Sequence, residues 1–395
     1  MTINYDSDST KLNVGLISIH PAPYRDAVLT SIYKRENLKI QVLTMFKKDI
    51  GHTYWNIEKE EYPNIYLGKS FKFRGRHFHF KLLTSIHKRK FHVIVIPGYF
   101  HPTSLIAIIY CILIRKPFIY TADSITRIAD SKHKNLIRDS IVGFILNHAA
   151  AFWIPGNASK QFLISKGVEP DRIYEGCYCL DANKIITQVL KERTNRDSLR
   201  KQLGIRPDDF VYLMVGNMIP SREHTLLIEM FKQVESNNEK VFLILLGEGS
   251  EVEAVKAAIK KHACQNVRIV APVSYDNLPK WYAASNAYIH SGSEPYSTAV
   301  EFAAKAALPI ITTELVGASF DYVHHNKSGY LVKYGNNDDF TNKMLYLSLN
   351  PKLALKMGQN ALNIAQKRTS EWSAEQFEDA VKYVNNSLIK YVCDK

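Results

Sequence analysis

The chain has 395 residues, a formal net charge of +13, 46% hydrophobic residues and 23% charged residues. That length exceeds one ordinary core and points to two domains of roughly 150–200 residues each. The composition excludes a disordered chain, and the charge suits an anionic partner (a phosphorylated substrate, a membrane surface or nucleic acid) or a lysine-rich composition with no partner behind it.

The N-terminal MTINYDSDSTK has no apolar core and reads as a short flexible tail, not a signal peptide. Its Asp6-Ser-Asp8 is a poor metal site in such a tail. Apolar strand-like runs then alternate with helical patterns. Leu12–Ile19 is a strand and Asp26–Arg35 helical, with PAPYR between them. Lys39–Phe46, Phe91–Gly98, Lys116–Asp123 and Ala150–Gly156 are further strands. Such alternation implies βαβ units and a parallel sheet. The run Ser104–Ile114 is too short to span a bilayer and reads as a buried helix. From Phe71 to Val93, seven Lys or Arg residues lie among aromatics with no acid, as at a membrane interface or on a solvated basic helix.

The pattern restarts after Lys184–Asp209, a charged stretch without strand character. It places the domains at 1–185 and 186–395. Asp208–Asn217 is a strand, His224–Val234 an amphipathic helix, Lys240–Gly249 a strand and Glu251–His262 a helix. NVRIVAP, NAYIHSG and LPIITT supply three more strands. GEGSE at Gly247–Glu251 lacks the third glycine of a dinucleotide fingerprint. The five cysteines form no CxxC, so neither a zinc ribbon nor a disulfide framework is signalled, and a cytoplasmic home follows. The histidines have no paired-ligand spacing, so no metal is expected.

Ser291–Thr313 carries the most chemistry. Ser297 is placed to cap a helix from Thr298, with Val300, Ala303, Ala304 and Ala307 on one face and Thr298, Glu301 and Lys305 on the other. The start of such a helix favours an anion. Glu294, in the loop before it, can accept hydrogen bonds from a sugar's hydroxyl pair. A surface Glu301–Lys305 pair at i+4 is the plainer alternative. Arg25 after the first strand suits an anionic acceptor or ends a structural turn. Gly98 suits a close ligand approach or a turn. Asp123 suits an acceptor hydroxyl or caps the helix expected over DSITRIAD.

This stretch resembles the EPFGxxxxEAxAxGxPVI signature of the family-four retaining glycosyltransferases. HPAPYR, GNASKQFLISKGVEPDRIYEGCYCLD, VGNMIPSREHTLLIEMF, LLGEGSE, SYDNLPKWYAASNAYIHSG and HNKSGYLV resemble other parts of that family in the right order, over about residues 12 to 370. The resemblance implies a GT-B architecture, an α/β fold of two Rossmann-like domains with parallel sheets facing a central cleft. It implies transfer of a sugar from a nucleotide-diphosphate donor to a glycan or lipid-linked acceptor, with retained anomeric configuration and no metal or other cofactor. The donor side would comprise Gly216, Asn217, Arg222, Pro272, Glu294, Tyr296, Ser297, Thr298, Glu301 and Gly317. The acceptor side would comprise Pro23, Tyr24, Arg25 and Gly98, and the catalytic pair would be Asp123 and Glu294. In register, Phe302 falls on the family's second glutamate, Glu301 is one residue early, and Asn217 stands where an arginine is usual. Ala307 stands where a glycine is usual. An epimerase or phosphorylase on the same architecture, or a non-catalytic binding homologue, is the alternative. Residues 71–93 would touch an anionic membrane, and nucleic acid is not an expected partner.

Overall fold

The computed structural model describes residues 11–47, 60–74, 76–123 and 136–393. The expected tail with Asp6-Ser-Asp8 and the helix expected after Asp123 lie outside them. The chain forms two compact units.

The first unit takes the described residues of Met1–Pro155, Ser159–Cys179 and Ser370–Lys395. Its elements are β1 (Leu12–Ser18), α1 (Pro23–Tyr33), β2 (Leu38–Thr44), β3 (Asn64–Tyr66), β4 (Phe71–Phe73), β5 (Arg76–Phe78), α2 (Lys81–Lys88), β6 (Val93–Pro97), α3 (Pro102–Leu113), β7 (Phe118–Thr121), α4 (Leu136–His148), β8 (Ala151–Ile154), α5 (Asn157–Ser165) and β9 (Ile173–Glu175). Seven strands lie in the order β3-β2-β1-β6-β7-β8-β9, all parallel, while β4 and β5 form a separate antiparallel hairpin. The central strands are short runs of Val, Ile and Phe buried on both faces, as a parallel sheet covered by helices requires.

The second unit takes Gly156–Ala158 and Leu180–Thr369. It runs through α6 (Ala182–Arg193), α7 (Arg196–Gln202), β10 (Phe210–Val215), α8 (His224–Asn237), β11 (Val241–Leu246), α9 (Val252–Lys261), β12 (Val267–Val270), α10 (Leu278–Ala284), β13 (Ala287–His290), α11 (Thr298–Lys305), β14 (Ile310–Thr313), α12 (Ser319–Tyr322), β15 (Gly329–Val332), α13 (Asn337–Leu349) and α14 (Pro351–Ala365). Its six parallel strands have the order β12-β11-β10-β13-β14-β15.

The sequence-based boundary at 185/186 differs from the structure, which passes between units at 179/180. The last helix, α15 (Ser370–Cys393), packs with the first unit and not the second. Its Ala374, Phe377, Ala380, Val381 and Val384 fill the core beside Trp153, with the Trp153 and Phe377 rings 4.7 Å apart. Its Glu378 receives hydrogen bonds from Arg35 and Asn37. The helix over Ser104–Ile114 is buried on one side only: Ala107, Ile108 and Cys111 are in the core, while Ile109, Leu113 and Ile114 are exposed. Among the described residues no helix is long and apolar enough to cross a membrane.

Candidate active site

In each sheet the strand order reverses beside the unit's first strand, between β1 and β6 and between β10 and β13. Doubly wound sheets bind ligands outside the carboxyl ends of the strands at such a reversal. In the second unit, the loops after β10 and β13 meet there.

The loop after β10 is held by close backbone packing. Gly216 has φ +139°, and a Cβ there would lie 1.6 Å from Nη1 of Arg222. A Cβ on Gly247 would lie 2.0 Å from the Gly216 carbonyl oxygen, and one on Gly249 2.3 Å from that of Met218. Only glycine fits these positions. The loop after β13 locks onto the same turn. Ser293 N–H donates to Ser221 O at 2.7 Å, Ser291 Oγ–H donates to Arg222 O at 3.1 Å, and a Cβ on Gly292 would strike the 221–222 backbone. Glu294 is bridged to the next loop: its N–H donates to Leu315 O and its carbonyl accepts from Gly317 N–H, both at 3.0 Å. Gly317 lies tight against the Pro295 carbonyl.

These loops bring two expected residues together. Arg222 Nη2 donates to Glu294 Oε1 at 2.5 Å. The other carboxylate oxygen, Oε2, lies 3.1 Å from Nε2 of His290, the fully buried last residue of β13. Burial alone would raise the Glu294 pKa; Arg222 and His290, with a smaller contribution from the Ser297 side chain, outweigh it and hold the group down at about 2. Burial, with His290 and Arg222 adding repulsion, pushes His224 down to about 3. Among the described residues, Arg222 Nη1 is buried without an acceptor. A guanidinium with an N–H to give, an ionised carboxylate and the start of α11 are groups suited to a phosphate- and hydroxyl-bearing ligand.

Ser297 precedes α11 with φ +89°, and its side chain makes no capping bond to that helix. Asn217, in the loop after β10, and Thr298, the first residue of α11, are half-buried. Pro272 follows β12, the edge strand, two strands from β10.

Two expectations, for Glu301 with Lys305 and for Tyr296, are corrected. Glu301 and Lys305 do not line an open face: both are fully buried. The helix is enclosed by α14, α6 and α12 as well as the sheet. Lys305 Nζ donates to Glu301 Oε1 at 2.5 Å, to Leu180 O at 2.8 Å and to Arg368 O at 3.0 Å. Glu301 Oε1 also accepts from Leu180 N–H at 2.8 Å, so this carboxylate serves an internal ion pair and reaches no solvent. Phe302 stacks on Tyr282, ring centroids 4.3 Å apart, and is buried. Tyr296 is buried too, its hydroxyl 3.4 Å from Glu301 Oε2.

In the first unit, Arg25, Pro97, Thr121, Trp153, Cys177 and Tyr178 line one pocket at the carboxyl ends of β1, β6, β7 and β8. Pro23 opens α1, the Tyr24 and Tyr178 rings meet edge to face at 5.5 Å, and Arg25 Nη2 donates to His20 O at 3.2 Å. Asp123 lies close enough for its charge, after burial, to push the Cys177 thiol and the Tyr178 phenol up. A Cβ on Gly98 would meet Tyr120 Oη at 3.9 Å, an ordinary contact, so the fold itself does not demand glycine there. The basic stretch is not one helix: β4 and β5 pair as a hairpin before α2, with Phe71, Phe73 and Phe80 more than half exposed beside Lys72, Arg74 and Arg76.

Sequence reasoning missed His290 and His224. The only signal was the four-residue spacing from His290 to Glu294.

Residues 195–363 match the family model described as glycosyl transferases group 1. The GPI3 subunit of phosphatidylinositol N-acetylglucosaminyltransferase from Saccharomyces cerevisiae is 25% identical over 166 residues, 42% of this chain and 35% of that one. The poly(ribitol-phosphate) alpha-N-acetylglucosaminyltransferase of Staphylococcus aureus is 26% identical over 167 residues, 41% and 33% of the two chains. The matched stretch thus spans about a third of either relative's length. Among solved structures, Anabaena Alr3699/HepE in complex with UDP and glucose superposes with a TM-score of 0.69 at 18% identity, covering 97% of this chain and all of that one. A glycosyltransferase from Rickettsia africae superposes with a TM-score of 0.73 at 14% identity, covering 95% and 99%.

Proposed function

We propose, for a chain whose residues 195–363 belong to the glycosyl transferases group 1 family and whose two units have the GT-B fold, that it moves a hexosyl or pentosyl group from a nucleotide-diphosphate sugar to a hydroxyl acceptor with retention of anomeric configuration. The observation that carries this reading is the half-buried Arg222–Glu294 pair at the strand-order reversal of the second unit, with Arg222 Nη1 lacking an acceptor among the described residues.

In this reading the bond from the donor's anomeric carbon to the diphosphate breaks and a bond to the acceptor oxygen forms on the same face. The acceptor proton passes to the departing phosphate oxygen. Arg222 and the amides at the start of α11 meet the charge that develops on the diphosphate, and no metal takes part. Glu294 accepts hydrogen bonds from sugar hydroxyls. Asp123 orients the acceptor hydroxyl in the first unit, with Arg25 and Tyr24 beside it. The acceptor is a glycan or lipid-linked saccharide. The exposed Phe71, Phe73 and Phe80 among cations support peripheral contact with an anionic membrane on its cytoplasmic side.

The test is turnover of UDP-, GDP- and ADP-sugars by purified protein with a membrane extract as acceptor source. Transfer that is lost in Arg222→Ala and Glu294→Ala supports the reading. Transfer that survives both substitutions overturns it. A non-catalytic nucleotide-sugar-binding role is the second reading, favoured by Asn217 in place of a second cation; it predicts binding of a nucleotide sugar with no transfer under any acceptor.

A further inference from the structure

Glu294 is held from two directions. Arg222 takes one oxygen through Nη2 alone, and His290 takes the other. A guanidinium and a carboxylate left to themselves favour a fork of two parallel bonds. Here that fork is open, and the second guanidinium nitrogen, Nη1, packs over Gly216 with no acceptor among the described residues. A buried N–H without a partner is unfavourable by about 1–3 kcal/mol, so something must keep Oε2 from closing the fork.

His290 is placed to do so. It is fully buried at the end of β13, where the parallel pairing with β14 holds its backbone. An ionised Glu294 can only accept, so the His290 nitrogen facing it, Nε2, donates, and Nδ1 has no hydrogen-bond partner among the described residues. The four-residue separation spans the turn from strand to loop, and the Glu294 backbone is fixed independently by Leu315 and Gly317. Both ends of the His290–Glu294 contact are therefore anchored. Released from it, Oε2 is free to swing onto Nη1.

We propose that His290 is a positioning residue: by holding Glu294 Oε2 it keeps the Arg222–Glu294 fork open and leaves Arg222 Nη1 for a diphosphate oxygen. The inference rests on the function proposed above, because it takes Arg222 to meet the donor's phosphates. His290 touches no ligand itself. Its effect reaches the ligand through Glu294 and Arg222.

The experiment is calorimetric titration of UDP, GDP and ADP, and of the matching monophosphates, into wild-type protein and into His290→Leu, His290→Asn and His290→Gln. Glutamine presents an amide N–H at about the reach of Nε2; asparagine is too short, and leucine has no donor. For whichever diphosphate the wild type binds, leucine and asparagine are expected to weaken binding about ten-fold or more, the worth of one hydrogen bond to a charged group. Glutamine is expected to restore most of it, with monophosphate binding unchanged throughout. If leucine does not fold, the asparagine–glutamine pair decides the matter. Wild type that binds no diphosphate sinks the proposed function. Wild type that binds one, with all variants equal to it or all variants losing mono- and diphosphate alike, overturns the role of His290 and leaves the function standing.

Discussion

The strand-end loops of the two units are built differently. In the second unit they close on themselves: glycines press against neighbouring carbonyls, Glu294 is gripped by two partners, and behind it Glu301 and Lys305 form a solvent-free ion pair. In the first unit the aromatic hairpin stands in solvent, and the cations beside it, Lys72, Arg74 and Arg76, are exposed. Under the proposed function the difference corresponds to a division of labour. A diphosphate is always the same shape, and fixed dipoles serve it best because they need no reorganisation on binding. A surface that meets a varied acceptor or a lipid headgroup gains nothing from being sealed.

The sharpest way to break this contrast is to open the sealed side. Lys305→Met removes one partner of a buried pair and leaves Glu301 charged in a dry site, so it should destabilise the second unit by about 3–5 kcal/mol in a urea titration. A loss below about 1 kcal/mol would mean that the pair is wetter than its geometry implies. Acid is the next probe. The folded Glu294 pKa of about 2 lies below the ordinary glutamate value, so its contribution is present above about pH 4.3 and is lost as pH falls toward 2. The shift corresponds to on the order of 3 kcal/mol, and Glu294→Gln should flatten the stability curve across that window.

A smaller effect tests backbone strain. Ala307 has φ +53°, a left-handed conformation that disfavours a side chain. Ala307→Gly should therefore raise stability by about 1 kcal/mol in the same titration, and a decrease would show that the methyl group packs usefully. On the open side, Phe71→Ser with Phe73→Ser should change stability by no more than about 0.5 kcal/mol, since both rings are solvated. The same pair should lower co-sedimentation with phosphatidylglycerol vesicles. Unchanged co-sedimentation would remove the membrane from the account.

The alternation of strands and helices was legible because β-branched runs buried on both faces leave a strong local signal, as in Val93–Pro97 and Val241–Leu246. The three-residue β3 and β9 have no room for such a signal. The return of α15 to the first unit is a long-range packing choice that its own amphipathic pattern does not reveal. Arg222 and Glu294 were readable as a cation and a carboxylate in facing loops. Glu301 was not: its spacing to Lys305 suggested a surface pair, and nothing local shows that the carbonyls of Leu180 and Arg368 would make that pair stable in the interior. His290 was hidden for a related reason, since a histidine closing a strand carries no motif until the loop folds Glu294 back onto it.

The central claim is that Arg222 and Glu294 in the second unit hold a nucleoside diphosphate. Thermal melts of wild type and Arg222→Ala against UDP, GDP and ADP test it most directly. The account predicts a concentration-dependent rise in Tm with at least one nucleotide for the wild type and none for the variant. An equal rise in both proteins, or no rise with any nucleotide, would contradict it.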